Sequence, residues 1–355
     1  MNSLEKLKKT ALDFGVDALV ITNPSTLHYL SGYANEEAII YFENSKAWYI
    51  TDSRYSEEVG NCLKNGLSYN GGIELFESGD YFKGVQTLST KGLSVGFEAS
   101  ISFNGYMNMK KSTEFKSACD VSVALNKFRE VKTDEEIALI KKAAQISDYA
   151  LDKIMSEVKV GMTESQVQAK LEYYMISSGA RSTSFQTIVA FGAGGSQPHH
   201  HTSDAVYKEG DLVTIDCGAD FFGYKSDITR TFAPSVVDER KIKLYNIVER
   251  ANALGISLVK EGAVTGEIDN AVREFLKGYG LDQYFTHSLG HGVGLDIHEA
   301  PYLKKTNDYV LKNGNIVTIE PGIYIPGELG IRVEDLLLVK KDGYELLSHC
   351  RKDLY

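Results

Sequence analysis

The run Val213-Thr214-Ile215-Asp216-Cys217-Gly218-Ala219 reads as an apolar strand that ends with a carboxylate projecting from it. After Asp220-Phe221-Phe222-Gly223 the chain resumes as Tyr224-Lys225-Ser226-Asp227-Ile228-Thr229-Arg230-Thr231-Phe232. A hairpin turning between Phe221 and Phe222 would set Asp216 opposite Asp227, with Cβ atoms about 4.5–5.5 Å apart. Two carboxylates that close repel unless a proton or cation lies between them. The pattern recurs in Ile316-Val317-Thr318-Ile319-Glu320-Pro321-Gly322 and Ile331-Arg332-Val333-Glu334-Asp335-Leu336, where a turn centred on Gly327 would face Glu320 with Glu334. One such hairpin is equally well explained by solvated turn acids. Two of them on apolar strands are not, because lone buried carboxylates are costly. Oxygen-rich donors suit hard or borderline divalent ions such as Mn²⁺ or Co²⁺. Four carboxylates offset two such ions, and a water shared by the pair would lose its proton near neutral pH and become a nucleophile.

The histidines gather around the same chemistry. His291 lies in Gly290-His291-Gly292-Val293-Gly294, and His298 opens His298-Glu299-Ala300-Pro301. His287 and His291 are four apart, as in H-E-x-x-H, but the glutamate is missing and the glycines argue against a helix, so a zinc helix is not predicted. The glycines also lack the G-x-G-x-x-G spacing of a dinucleotide loop. The reading they support is a loop that lets the backbone approach a ligand closely, with His291 completing a metal site. Pro198-His199-His200-His201 follows Gly-rich Phe191–Ser196, which lacks the G-K-[ST] of a phosphate loop. One of these three imidazoles is expected to be functional and the others to face solvent.

Outward from this region the chain divides in two. Its 355 residues suffice for two domains. The first third alternates helix and strand: Leu4–Phe14 helical, Asp17–Ile21 a strand, Ala38–Phe42 and Ala47–Thr51 paired strands, Ser53–Cys62 helical, Gly72–Phe76 and Leu93–Glu98 strands. That rhythm predicts an α/β domain over residues 1–126. A long helix opens at the capping box Thr133-Asp134-Glu135-Glu136, a second follows Thr163, and two more are expected at about 237–260 and 266–278. Residues 127–355 form the second, α+β domain. The net charge of −10, with only short basic groups, excludes a duplex-binding stripe. No apolar run is long enough to cross a bilayer and the N-terminus does not read as a signal peptide, so a cytoplasmic protein is expected. The four scattered cysteines form no C-x-x-C pair and suggest buried thiols.

Five stretches, Ile215–Ala219, Gly223–Phe232, His287–Glu299, Thr318–Tyr324 and Gly330–Leu336, occur in the order seen in pita-bread-fold metallopeptidases, and the chain resembles their Xaa-Pro aminopeptidase and Xaa-Pro dipeptidase (prolidase) branch. The resemblance implies a pita-bread catalytic domain preceded by a smaller accessory α/β domain. It implies Asp216, Asp227, His291, Glu320 and Glu334 as ligands of two divalent ions, manganese first and cobalt or zinc as alternatives. Glu320 is implied as the proton shuttle, His298 as the group steadying the substrate carbonyl and oxyanion, and His199 as a contact near the leaving proline. Tyr324 and Arg332 are implied to line the site and bind substrate, with a catalytic proton-network or substrate-terminus role for Arg332. Relatives often carry smaller residues at His200-His201, which leaves open which imidazole faces the substrate. Proline-containing peptides are the implied partners, in a homodimer. An Xaa-Pro bond is a tertiary amide with a rigid ring and no N–H; two metals can polarise its carbonyl while a shaped pocket, walled by Tyr224, Tyr324, Phe191 and Phe185, accepts the ring. The expected activity is an Xaa-Pro aminopeptidase, with a dipeptidase as the alternative. The complete ligand set argues against a metal-free creatine amidinohydrolase or a non-catalytic binding protein, and the N-terminal domain against a methionine aminopeptidase.

Overall fold

The computed structural model describes all 355 residues, which form two compact units, Met1–Arg129 and Glu130–Tyr355. In the first, strands β1 (Ala18–Ile21), β2 (Ile39–Glu43), β3 (Lys46–Thr51), β4 (Ile73–Glu77), β5 (Ser94–Phe97) and β6 (Ser117–Asp120) make one sheet in the order β4-β3-β2-β1-β5-β6. Helices α1 (Ser3–Phe14), α2 (Pro24–Ser31), α3 (Ser56–Asn65), α4 (Tyr81–Leu88), α5 (Phe103–Thr113) and α6 (Ser122–Glu130) alternate with the strands. β2 and β3 join through Asn44-Ser45, both at positive φ, as a two-residue hairpin of right-handed twist requires. No helix in the chain is long and apolar enough to cross a membrane.

The second unit runs one plan twice. Helices α7 (Asp134–Met155) and α8 (Glu164–Ser177) precede β7 (Ser182–Thr183), β8 (Ile188–Phe191), β9 (Val213–Cys217), β10 (Ala219–Phe221), β11 (Tyr224–Lys225) and β12 (Ile228–Phe232). Helices α9 (Glu239–Ser257) and α10 (Thr265–Lys277) then precede β13 (Gly290–Gly292), β14 (Glu299–Leu303), β15 (Ile316–Ile319), β16 (Gly322–Ile325), β17 (Leu329–Arg332), β18 (Asp335–Lys340) and β19 (Gly343–Leu346). Thr133 and Glu136 close the capping box that starts α7, and Thr163 with Gln166 does the same for α8.

Period-two alternation decides which strand faces become core. Val213, Ile215, Cys217, Ile228 and Phe232 point to one side and pack on Ile146, Ala150, Ile154 and Leu171 of α7 and α8. Their neighbours Thr214, Asp216, Thr229 and Thr231 therefore project from the other side. In the second half Val317, Ile319, Ile331, Val333 and Leu337 pack on Val248, Ala251, Val272 and Leu276 of α9 and α10. Each such side chain, fully buried, contributes about 1.5–3 kcal/mol, so both acid-bearing strand pairs stand on a stiff apolar base.

The two polar faces then meet. Thr231 Oγ1 donates to the Arg332 carbonyl at 3.0 Å and accepts from the Arg332 N–H at 3.1 Å, while the Glu334 N–H donates to the Thr229 carbonyl at 3.1 Å. Gly330 permits the close approach: a Cβ there would lie 1.7 Å from the Gly195 carbonyl oxygen.

Candidate metal centre

The first hairpin does not turn where the sequence arithmetic puts it. Its tip is Phe222-Gly223, with φ of 52° and 85°, and Phe221 pairs with Tyr224. Asp216 consequently faces Thr229 rather than Asp227. The shift is two residues, an even number, so Asp227 stays on the polar face as a diagonal neighbour of Asp216. In the second hairpin Ile319 pairs with Asp335 and Gly322 with Arg332, a register that sets Glu320 opposite Glu334. β13 reaches the same place from the side, because Gly290 lets its backbone lie where a Cβ would be 2.0 Å from the Thr318 carbonyl oxygen.

Asp216, Asp227, His291, Glu320 and Glu334 thus converge on one cavity of about 500 Å³, which His199, His298 and Arg332 also line. Ligand atoms of Asp227, His291 and Glu334 all lie within 4.8 Å of one another. His291 Nε2 is 3.6 Å from Asp227 Oδ2 and 3.4 Å from Glu320 Oε1. His291 Nδ1 lies 3.1 Å from the Gly292 carbonyl, which assigns the ring proton to Nδ1 and turns the Nε2 lone pair toward the carboxylates. A lone pair facing carboxylate oxygens is repulsive until a proton or a cation stands between them.

Electrostatics give the same reading. Burial first, then the charges of Glu334 and Asp216, push Asp227 well above the usual carboxylate range. Burial and Glu334 do the same to Glu320. Glu334 is raised to about 8 by burial and Asp216. Burial, with His298 beside it, lowers His291 to about 3, which keeps it neutral. Arg332 keeps its charge despite burial because Tyr324 and the carboxylates Asp216, Glu320 and Glu334 surround it. Its Nη2 is 2.5 Å from Asp216 Oδ2, yet one guanidinium cannot offset four carboxylates. Asp216 Oδ1 and Glu334 Oε1 are buried and accept no hydrogen bond, an arrangement that is costly without a further positive partner. The donor set, four carboxylates and one neutral imidazole, fits divalent cations.

Other groups take places the sequence did not assign. Thr229 Oγ1 donates to Glu334 Oε2 at 2.7 Å and accepts from Arg332 Nε at 3.0 Å. Arg332 Nη1 donates to the Tyr324 hydroxyl at 2.7 Å, but Tyr324 itself does not line the cavity or wall a pocket as expected: it stands behind the lining residues Arg332 and His287. His287, excluded above only as part of a zinc helix, lines the cavity with its Nε2 2.9 Å from the Tyr324 hydroxyl. The alternation Asp227, Thr229, Thr231 carried the signal for Thr229; none marked His287, whose place depends on how its loop is held.

Three expectations need correction. His199, His200 and His201 all line the cavity, but His200 does not face solvent freely: its Nε2 is 2.9 Å from Glu164 Oε2, a carboxylate at the start of α8 with no exposed side-chain surface. Tyr224 does not wall the pocket, since its hydroxyl turns to buried Glu136. Phe191 packs edge-on against Tyr207 in the core. Phe185 does line the cavity, with Ile188 and Ile297.

The sequence pattern of Metallopeptidase family M24 spans residues 138–341, more than half of the chain. The protein belongs to Metallopeptidase family M24. Residues 4–131 match the Creatinase/Prolidase N-terminal domain. An Xaa-Pro dipeptidase of Pyrococcus furiosus is 35% identical over 353 residues, covering 99% of both chains. The crystal structure of the prolidase from Pyrococcus horikoshii superimposes with a TM-score of 0.93 at 32% identity, over 99% of each chain. That of an X-Pro aminopeptidase from Thermotoga maritima gives 0.88 at 31%, covering 100% of this chain and 99% of that one. The chain is therefore a peptidase with the pita-bread fold in its second unit, preceded by a creatinase-type N-terminal domain.

Proposed function

We propose that this M24 peptidase is a metal-dependent Xaa-Pro dipeptidase. The observation that carries the reading is the convergence of four carboxylates and a neutral imidazole, two of the carboxylates with unpartnered buried oxygens, in a chain similar along its whole length to Xaa-Pro dipeptidases. In this reading Asp216, Asp227, His291, Glu320 and Glu334 hold two divalent ions, manganese by the hardness of the oxygen donors. When bound, such a pair supplies positive charge that polarises the scissile carbonyl and lowers the pKa of water.

The chain's own side chains do the rest. Glu320, a carboxylate at the cavity wall once metal has displaced its proton, is placed to take up a proton and return it to the departing nitrogen. His298, lowered in pKa by burial, packs its ring 4.3 Å from that of His291 at the cavity wall, where it can donate to the carbonyl oxygen as charge develops. Arg332, held by Asp216, Thr229 and Tyr324, keeps a fixed positive charge beside the carboxylates. Phe185, Ile188 and Ile297 offer apolar surface to the proline ring, and His199 lies on the same cavity.

The aminopeptidase alternative keeps one supporting observation, the similarity to the Thermotoga maritima enzyme. Hydrolysis of Ala-Pro and Ala-Pro-Ala, measured after EDTA treatment and again after Mn²⁺ is added, separates the readings. Manganese-restored cleavage of Ala-Pro with little of Ala-Pro-Ala supports the dipeptidase. The reverse preference supports the aminopeptidase, and metal-independent or absent cleavage of both rejects the site assignment.

A further inference from the structure

We propose that Asp269 and Arg273 of α10 form a positioning pair for the cavity, holding the segment from Phe285 to Leu289 so that His287 is aimed at Tyr324. The pair stands one helical turn apart and outside the cavity lining. Asp269 has no exposed side-chain surface, and Arg273 keeps 24% of its own. The carboxylate takes the guanidinium in a fork, Nε at 2.6 Å and Nη2 at 3.3 Å, and its Oδ1 also accepts the Leu289 N–H at 2.9 Å. The remaining guanidinium donors reach the Phe285 carbonyl at 2.9 Å and the His287 carbonyl, while the guanidinium plane lies over the Phe285 ring, 4.3 Å from its centroid. Two side chains thereby fix three alternate residues of a segment that belongs to no strand.

That segment touches the site at two points. The Leu289 carbonyl accepts the Glu320 N–H at 2.8 Å. His287 continues an oriented chain: Arg332 donates to the Tyr324 oxygen, the Tyr324 hydroxyl faces His287 Nε2, and His287 Nδ1 lies 2.8 Å from the Ser288 carbonyl. Read as donors and acceptors, this requires the Nδ1–H form of His287 with Nε2 accepting. A helix needs no buried carboxylate to pack, and an ion pair made only for stability would be as well served by apolar side chains. A planar fork that satisfies two carbonyls and a carboxylate at once is a task for arginine that lysine cannot copy.

The inference rests on the dipeptidase reading for its kinetic arm and on the geometry alone for its spectroscopic arm. In metal-free protein labelled with ¹⁵N-histidine, the His287 ring is identified by its loss in His287→Gln. It should show a single Nδ1–H tautomer in the parent and an averaged one in Arg273→Met. Manganese-loaded Arg273→Met should bind as much metal as the parent and lose about 10–100-fold in kcat on Ala-Pro as supporting groups around metal sites do, and Arg273→Gly, which vacates the space of a side chain that is 24% exposed, should show the same loss and regain part of it in millimolar guanidinium. Arg273→Lys, which keeps the charge beside Asp269, should show a smaller loss of the same kind and serves if Arg273→Met does not fold. An unchanged His287 tautomer in Arg273→Met, or in Arg273→Lys where that variant stands in, overturns the proposal, as does a loss of kcat in Arg273→Gly that guanidinium does not restore. Should the parent cleave no Xaa-Pro peptide, the dipeptidase reading fails while the tautomer measurement still decides this one.

Discussion

Loading the centre with divalent cations should expel protons, and the count follows from the side chains. With its pKa raised to about 8, Glu334 is mostly protonated at pH 7 in the metal-free protein. Asp227 and Glu320 are pushed upward for the same reasons, burial and the neighbouring carboxylates, so each adds to the release. His291 adds nothing, because it is already neutral at pH 7. The total expected at pH 7 is about one to three protons per chain from these carboxylates. Each coupled proton makes affinity rise about tenfold, or about 1.4 kcal/mol, per pH unit until the group ionises without metal. Titration calorimetry of Mn²⁺ into the EDTA-stripped, dialysed protein, in buffers of different ionisation enthalpy, counts the protons directly. Glu334→Gln should bind metal more weakly and release about one proton fewer. A release below about half a proton at pH 7, with affinity flat between pH 6 and 8, would refute the argument that like-charge crowding holds this site together only with protons or cations.

The same shifts set the stability of the metal-free protein. Glu334 has a folded-state pKa above its unfolded value of 4.5, so between roughly pH 4.5 and 8 the folded state keeps a proton that the unfolded chain has lost, and stability falls as pH rises through that window. Below about pH 6.5 the lowered pKa values of His287 and His291 act in the opposite sense, so the window that isolates the carboxylates is about pH 7 to 8, where thermal melts should show a falling Tm with EDTA and a flatter one with Mn²⁺; a metal-free Tm that climbs across that window would contradict this. Thr229→Val keeps the volume but leaves Glu334 Oε2 and Arg332 Nε each short of a buried partner, an expected cost of about 2–5 kcal/mol and at least tenfold in metal affinity, read by urea melts and metal titration. Gly330→Ala would drive a Cβ to 1.7 Å from the Gly195 carbonyl oxygen and should cost more than about 4 kcal/mol, whereas Gly327→Ala, at φ +72° with open space around it, should cost about 1–2 kcal/mol; equal melting temperatures would count against the close approach.

The parts of the site written in local pattern were legible early. Apolar strands ending in acids, the capping box at Thr133 and the helix that follows Thr163 depend on residues within a turn or a pleat of one another. The register of the first hairpin was misread because Phe222 adopts positive φ beside Gly223, which moves the turn by one residue and the pairing by two. Face assignment survived only because the error was even. His200 was misread for a different reason: its partner, Glu164, is thirty-six positions away at the head of another helix.

By itself the sequence determined which side chains carry charge, which strand faces can be buried, and that four acids would stand on apolar hairpins. Tertiary structure alone decided that the two polar faces meet, that Thr229 and Arg332 tie Glu334 and Asp216 together, and that His287 is held against Tyr324 from α10. The physical reason is range. Propensity, capping and pleat are set by neighbours in the chain, whereas the cost of a crowded or unpartnered buried charge exists only once distant segments have removed the water between them.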